Sequence, residues 1–307
     1  MRIKYWSSHQ NHTMQYIGYL FFRFAVFIFS LIPFRVLYVL SDGLAWLFFN
    51  VLKYRYKVIY YNLKNSFPEK SDLEIKEIAR KFYKNMTDIL LESIKGFSVS
   101  EKTMTERYIF TNPELLHNDY RAGGNSIVMA GHYTNWEWGA IIFPHFLTQR
   151  TVIGFYKPLT NVFIEKYALE KRTRSGSVLI DIGRTAWTFE QYKNQPSSYT
   201  FVGDQSTYSP KAHWVTFLNQ DTACPYGGDK YARQFNYPVF FLRMWRVKRG
   251  YYKTAFETLL DNPAEQPEGE ITRVFMQRLE EVIREKPEDW LWSHKRWKVK
   301  RDKSDEI

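Results

Sequence analysis

The chain holds a single cysteine, Cys224, among 307 residues. One thiol excludes an internal disulfide framework and a structural zinc site built on cysteines, and it suits a protein facing a reducing compartment. Its neighbours Asp221, Thr222, Ala223 and Pro225 offer neither a base nor a cation to activate it, so Cys224 reads as a small packed side chain. Also missing are a glycine-rich phosphate loop, a His/Cys/carboxylate cluster with metal-ligand spacing, internal repeats and low-complexity tracts. No cofactor and no metal are therefore expected. No small-residue cleavage site follows the first apolar stretch, so a removable signal peptide is not expected either. A mean hydropathy of -0.43 excludes a polytopic membrane protein.

What is abundant points to a surface. Aromatic residues make up 18% of the chain, and 43 basic against 32 acidic residues give a net charge of +11. Trp and Tyr gather at membrane interfaces, and a basic excess favours polyanionic partners. An anionic membrane surface and an acidic carrier protein both qualify. Nucleic acid ranks last, because the excess is spread along the chain and no nucleic-acid-binding motif appears.

The N-terminal region is apolar from Ile17 to Leu40 but is interrupted by Arg23, Pro33 and Arg35, and a second apolar block runs from Ala45 to Leu52. Basic residues flank it on both sides, which fits either a spanning anchor or helices lying in the interface. The expected division is residues 1–56 as membrane-anchoring helices and 57–307 as the catalytic domain. After Pro68, Ser71 and Glu74 form a capping-box pattern, opening an amphipathic helix to about Ile94. Residues 95–124 read as an adapter. Glu92 and Asp229 read as structural.

From Ser126 onward, β-branched runs alternate with helical patterns: strands at 126–130, 151–156 and 177–180 are each followed by a helical stretch, and a fourth at 198–202 ends at Gly203-Asp204-Gln205. That alternation predicts an α/β fold with a mostly parallel or mixed central sheet flanked by helices. In such sheets the ligand crevice lies at the carboxyl ends of the strands. His132, Lys157, Asp181 and Asp204 all follow strand ends and are expected to line one edge. Asp221 to Arg233 reads as a loop opening a helix. A hairpin is expected from 239–245 and 252–260, and a final helix from Ile271 to Arg284. The terminal segment 294–303 interleaves aromatics with cations; it reads as a solvated tail or as a dock for anionic lipid.

His132 and Glu137 stand out within the strand–turn–helix stretch 126–139. Positions five apart are rotated by about 140° on a regular helix, so a turn must bring them together. With Thr134 or Asn135 capping the helix, Glu137 lies in its first turn and can reach one imidazole nitrogen, leaving the other for a substrate. A carboxylate-oriented imidazole suits a general base. No adjacent serine or cysteine suggests a nucleophile, so the proton is expected to come from a hydroxyl on a bound acceptor. Arg172 and Arg174 suit a phosphate or an oxyanion.

The stretch Gly131 to Trp138 (GHYTNWEW) resembles the His-x4-Asp/Glu block of the late acyltransferases of lipid A biosynthesis, the Kdo-dependent lauroyl/myristoyl transferase family within the glycerolipid acyltransferase group. Further matches follow in the family's order: 60–68 (YYNLKNSFP), 156–161 (YKPLTN), 172–176 (RTRSG), 203–205 (GDQ) and 287–298 (PEDWLWSHKRWK). The resemblance implies an acyltransferase at the cytoplasmic face of a bacterial inner membrane, with acyl carrier protein as donor and a glycolipid precursor of lipid A as acceptor. It implies His132 and Glu137 as catalytic, and Arg174, Asp204, Lys157, Asn161, Gln205 and Arg172 as substrate-binding. Arg174 stands where the family carries a substrate-site arginine. The sequence departs from the pattern in having Glu rather than Asp in the motif and Lys157 where many members have arginine. Acceptor and chain length thus stay open, and another polar lipid, a membrane-bound hydrolase and a noncatalytic lipid-binding protein remain alternatives.

Overall fold

The computed structural model describes residues 2–119 and 121–301. The chain opens with α1 (Arg2–Leu31), α2 (Phe34–Trp46), α3 (Tyr56–Ser66) and α4 (Asp72–Gly96), with a π-helical turn extending α2 over Leu47–Val51. Next come α5 (Glu101–Arg107), β1 (Tyr108–Phe110) and α6 (Glu114–His117). The alternating part follows: β2 (Ser126–Ala130), α7 (Trp136–Phe146), β3 (Thr151–Tyr156), α8 (Val162–Arg172), β4 (Val178–Asp181), α9 (Thr185–Tyr192) and β5 (Ser197–Val202). The chain then forms β6 (His213–Phe217), β7 (Gln220–Cys224), α10 (Gly227–Phe235), β8 (Val239–Lys248), β9 (Tyr251–Leu260) and α11 (Glu270–Glu285).

The main sheet has the order β1-β9-β8-β2-β5-β3-β4. All pairs are parallel except β8 with β9, the expected hairpin. The fold is thus α/β with a mostly parallel central sheet. Period-two alternation sorts its faces. Along β5, Tyr199 stacks with Phe189 of α9 at 4.1 Å, and Phe189 in turn stacks with Tyr231 of α10 at 4.3 Å. Thr200 and Val202 face the other way, into a cavity beneath α7.

The capping box at Ser71 and Glu74 is present, with Ser71 N–H donating to Glu74 at 2.8 Å and Glu74 N–H to the Ser71 hydroxyl at 3.4 Å. Several short elements escaped the sequence pattern, β1 and β7 among them. β1 has only three residues, and the stretch expected to be loop from Asp221 is instead half of the β6–β7 hairpin. Both are strands held by pairing and tertiary burial, which propensity over so few residues does not reveal.

The N-terminal helices pack on the α/β body. Ser41 of α2 is buried and donates to Asp88 of α4 at 2.6 Å. Asp88 is itself fully buried and pairs with Arg246 and Arg249, and Arg249 also bridges to Asp42 at 2.8 Å. On α1, the Phe29 and Ser30 carbonyls accept from Lys95 Nζ at 3.0 and 3.1 Å. The outward faces stay apolar: Phe21, Phe24 and Leu31 on α1 and Val39 and Trp46 on α2 are more than 60% exposed. Segments His12–Leu31 and Phe34–Val51 are long and apolar enough to cross a bilayer, and could serve as a membrane anchor.

The C-terminal segment is not a free solvated tail: part of it packs into the body, while Lys295, Lys298, Lys300 and Arg301 stay exposed. Trp292 and Arg296 are buried, Arg296 donates to the Ala223 carbonyl at 2.7 Å, and Trp297 Nε1 donates to Thr222 Oγ1 at 2.8 Å. The two terminal guanidinium nitrogens find partners inside the protein, on the Ala223 carbonyl and on Cys224 Sγ. Asp302 and Lys303 lie outside the described residues. Arg296→Ala is expected to destabilise the protein by about 3 kcal/mol, through lost packing and an orphaned carbonyl. The neighbouring Lys295→Ala should change stability by less than about 0.5 kcal/mol. Urea unfolding of the two variants, followed by tryptophan fluorescence, measures the difference.

Candidate active site

β2 ends at Ala130, and Gly131 lets the chain turn in a crowded corner: a Cβ there would lie 2.8 Å from Leu279 and 3.3 Å from Asp204. His132 follows, half-enclosed, its side chain 17% exposed. Its loop is held from outside by the C-terminal segment. Leu291 N–H donates to the His132 carbonyl at 3.2 Å, and Thr134 N–H donates to the Asp289 carbonyl at 2.9 Å. Thr134 takes a left-handed backbone with φ 51°. For a β-branched residue this is strained, and such strain persists only where surrounding contacts over-determine it. Asn135 then caps α7, its Oδ1 accepting from Trp138 N–H at 3.0 Å.

The carboxylate on the imidazole is Asp204, not Glu137. His132 Nδ1 lies 2.6 Å from Asp204 Oδ1, while Oδ2 accepts from the His132 backbone N–H at 2.7 Å and from Trp290 Nε1 at 2.8 Å. Asp204 follows β5, which pairs in parallel with β2, so the two strand ends deliver both residues to one point. Burial opposes a charge on Asp204, but the His132 ring, its backbone N–H and Trp290 hold the carboxyl down at about 2. On His132, burial pushes the pKa down, yet the Asp204 charge and hydrogen bond, with a smaller contribution from Glu137, raise it above the usual 6.5.

With Asp204 ionised, Nδ1 carries the proton and Nε2 presents its lone pair. Gln205 Nε2 donates to it at 3.1 Å. Nε2 therefore faces a cavity of about 350 Å³ lined by Trp136, Glu137, Ala140 and Phe143 of α7 and by Val152, Gly154, Thr200 and Val202 of the sheet. Its lining is largely apolar with a few polar and charged side chains, His132, Glu137, Arg172 and Gln205 among them, as in ligand pockets of this size.

Glu137 lines the same cavity but is gripped by Arg172, whose Nη2 donates to both carboxylate oxygens at 3.0 and 2.9 Å. The first helical turn does hold Glu137 beside the histidine, but it faces α8, where Arg172 meets it. The expected contact with the ring is replaced by a longer-range electrostatic effect. Lys157 lies exposed at the cavity mouth.

Other candidates are used elsewhere. Arg174 donates to the Gly96 and Val99 carbonyls at 3.0 and 2.8 Å, satisfying the end of α4, and does not line the cavity. Asn161 caps α8 through Phe163 and Ile164 N–H, and its Nδ2 donates to the Gln15 carbonyl at 2.7 Å, tying α1 to α8. Asp181 is exposed and binds Gly183 N–H at 2.8 Å. Cys224 does have a cation nearby, Arg296 Nη2 at 3.1 Å. Burial nonetheless raises its pKa and leaves the thiol inert. Trp290, which sequence reasoning gave no role at the site, is the second clamp on Asp204; only the tertiary fold brings residues 86 apart together.

The model of the bacterial lipid A biosynthesis acyltransferases matches residues 4–299. The chain belongs to that family. It is an acyltransferase, and it is 24% identical over 285 residues to the lipid A biosynthesis lauroyltransferase of Escherichia coli strain K12, covering 88% of this chain and 87% of that one.

Within this acyltransferase, Asp204→Asn is expected to lower the His132 pKa, because the charge that offsets burial is removed. Glu137→Gln should lower it by less. Histidine ring NMR titration of the substrate-free enzyme orders the two shifts, and a larger shift in the Glu137 variant would contradict the geometry.

Proposed function

We propose that this enzyme moves a fatty acyl chain from an acyl carrier protein thioester to a hydroxyl of a lipid A precursor at the cytoplasmic face of the inner membrane. The observation that carries this reading is the His132 Nε2 lone pair facing an apolar cavity while Asp204 holds Nδ1. The acceptor hydroxyl takes the place of the Gln205 amide and gives its proton to Nε2 as its oxygen attacks the thioester carbonyl. The imidazolium formed is stabilised by Asp204 and, at longer range, by Glu137. Collapse of the tetrahedral intermediate expels the thiol sulfur, which recovers the proton from Nε2.

Arg172 and Lys157, the cations lining the cavity, supply positive potential for the developing oxyanion or for acceptor phosphates. Arg174 is not given that part, because both of its terminal nitrogens bond backbone carbonyls and it does not line the cavity. The cavity beneath α7 takes the acyl chain. A net charge of +11 suits an acidic carrier protein and an anionic leaflet. Residues 1–56 act as the membrane-anchoring part and the remainder as the catalytic part, and the exposed apolar faces of α1 and α2 keep the enzyme at the membrane where its acceptor resides.

The test is incubation of the purified enzyme with an acyl carrier protein thioester and a lipid A precursor, read by mass spectrometry. Acylated precursor is expected; free fatty acid formed irrespective of acceptor would instead indicate a hydrolase, and an acyl chain on another polar lipid would redirect the acceptor. His132→Ala should cost about 10²- to 10⁴-fold in rate. Since the base works only when neutral, kcat/KM should rise with pH through a midpoint above 6.5, the side to which the His132 pKa is moved.

A further inference from the structure

Glu92 lies on α4, wholly shielded from solvent, and takes no part in the chemistry described above. Its carboxylate is approached from three separate elements. Tyr38 of α2 donates to Oε1 at 2.8 Å, while Tyr252 of β9 and Asn135 Nδ2 donate to Oε2 at 2.6 and 2.7 Å. The Glu92 backbone carbonyl accepts from Trp138 Nε1 at 2.9 Å. Asn135 is the telling partner. Its Oδ1 is taken by Trp138 N–H at the start of α7, so its Nδ2 must find an acceptor, and Glu92 is that acceptor.

Burying a carboxylate is expensive, and a well-packed apolar side chain of similar size is often neutral or better for stability. What an apolar residue cannot do is fix the side chain of Asn135. That residue sits between His132 and Glu137, directly after the strained Thr134. Burial raises the Glu92 pKa against the pull of Tyr252, Arg246 and Tyr38. In either protonation state Oε2 can accept from Asn135, because a proton on Oε1 can be donated to the Tyr38 oxygen.

Building on the acyl-transfer reading, we propose that Glu92 is a positioning residue: through Asn135 it sets the start of α7, and with it the placing of His132 and Glu137 on the two sides of that turn. Because Tyr38 binds the other oxygen, the same carboxylate also links the membrane-side helix α2 to the active-site loop.

The experiment compares Glu92→Met, Glu92→Gln, Asn135→Asp and the double variant Glu92→Gln/Asn135→Asp. Steady-state kinetics would be joined by hydrogen exchange at the Trp138 amide and by thermal melting. Glu92→Met leaves Asn135 without an acceptor, and kcat should fall about ten- to a hundredfold with KM for the thioester little changed, as expected when reacting groups are displaced. Glu92→Gln keeps an acceptor and should restore most of that loss. Asn135→Asp sets two carboxyl groups against each other and should lower kcat; the double variant, with the amide and the acid exchanged, should recover it. Trp138 exchange should quicken and slow in the same order.

A Glu92→Met enzyme with unchanged kcat and Trp138 protection would overturn the proposal, as would a double variant no better than Asn135→Asp alone. If Glu92→Met melts too low to assay, the exchanged pair still decides. If the wild-type enzyme transfers no acyl group, the functional reading fails, while the exchange measurements, which need no substrate, still judge Glu92.

Discussion

The site depends on one carboxylate with three bonds. Asp204 takes the His132 ring on one oxygen and the His132 backbone N–H with Trp290 Nε1 on the other. A charged group so buried is tolerable because both of its oxygens are met by directed donors. That requirement fixes the ends of β2 and β5 against each other and draws in the C-terminal segment. It also sets the tautomer that leaves Nε2 basic toward the cavity. Loss of the charge would release the ring, and burial would then disfavour its protonated form.

Around that pair the molecule uses its polar interior to locate rather than simply to stabilise. Glu92, Asp88 and Asp204 are all buried, and each receives donors from elements distant in sequence. Mutual satisfaction of such groups admits few arrangements, whereas an apolar core tolerates many. The Arg172–Glu137 pair belongs to a different class. It is partly exposed, with side chains 30% and 28% accessible, so its contribution to stability is small and its position in the cavity is what matters.

The apolar helices add a second constraint. α2 is locked to the body by Ser41, Asp42 and the buried Asp88 cluster, and α1 by Lys95 and the Asn161–Gln15 contact. A load on their outer apolar faces would therefore bear directly on the α/β body through these buried contacts.

Much of this was legible in the residues. The alternation of β-branched runs with helical stretches gave the parallel sheet, because side-chain period reports which faces are buried. The same alternation put His132, Lys157 and Asp204 at strand ends, and the family blocks placed the histidine in an acyltransferase loop. Which acid would meet the ring was beyond the reach of spacing. Glu137 is near in sequence but faces Arg172; Asp204 is 72 residues away and arrives through the β2–β5 pairing. Arg174 and Asn161 look like substrate groups in a linear motif and are claimed by helix ends. Arg296 and Trp297 look like parts of a surface tail and are instead buried, while Lys295, Lys298, Lys300 and Arg301 beside them stay exposed. Local pattern determines which segments are strands and helices, since it acts through neighbouring residues. Only the folded chain decides which donor reaches which buried acceptor, since that is settled by where distant backbone ends come to rest.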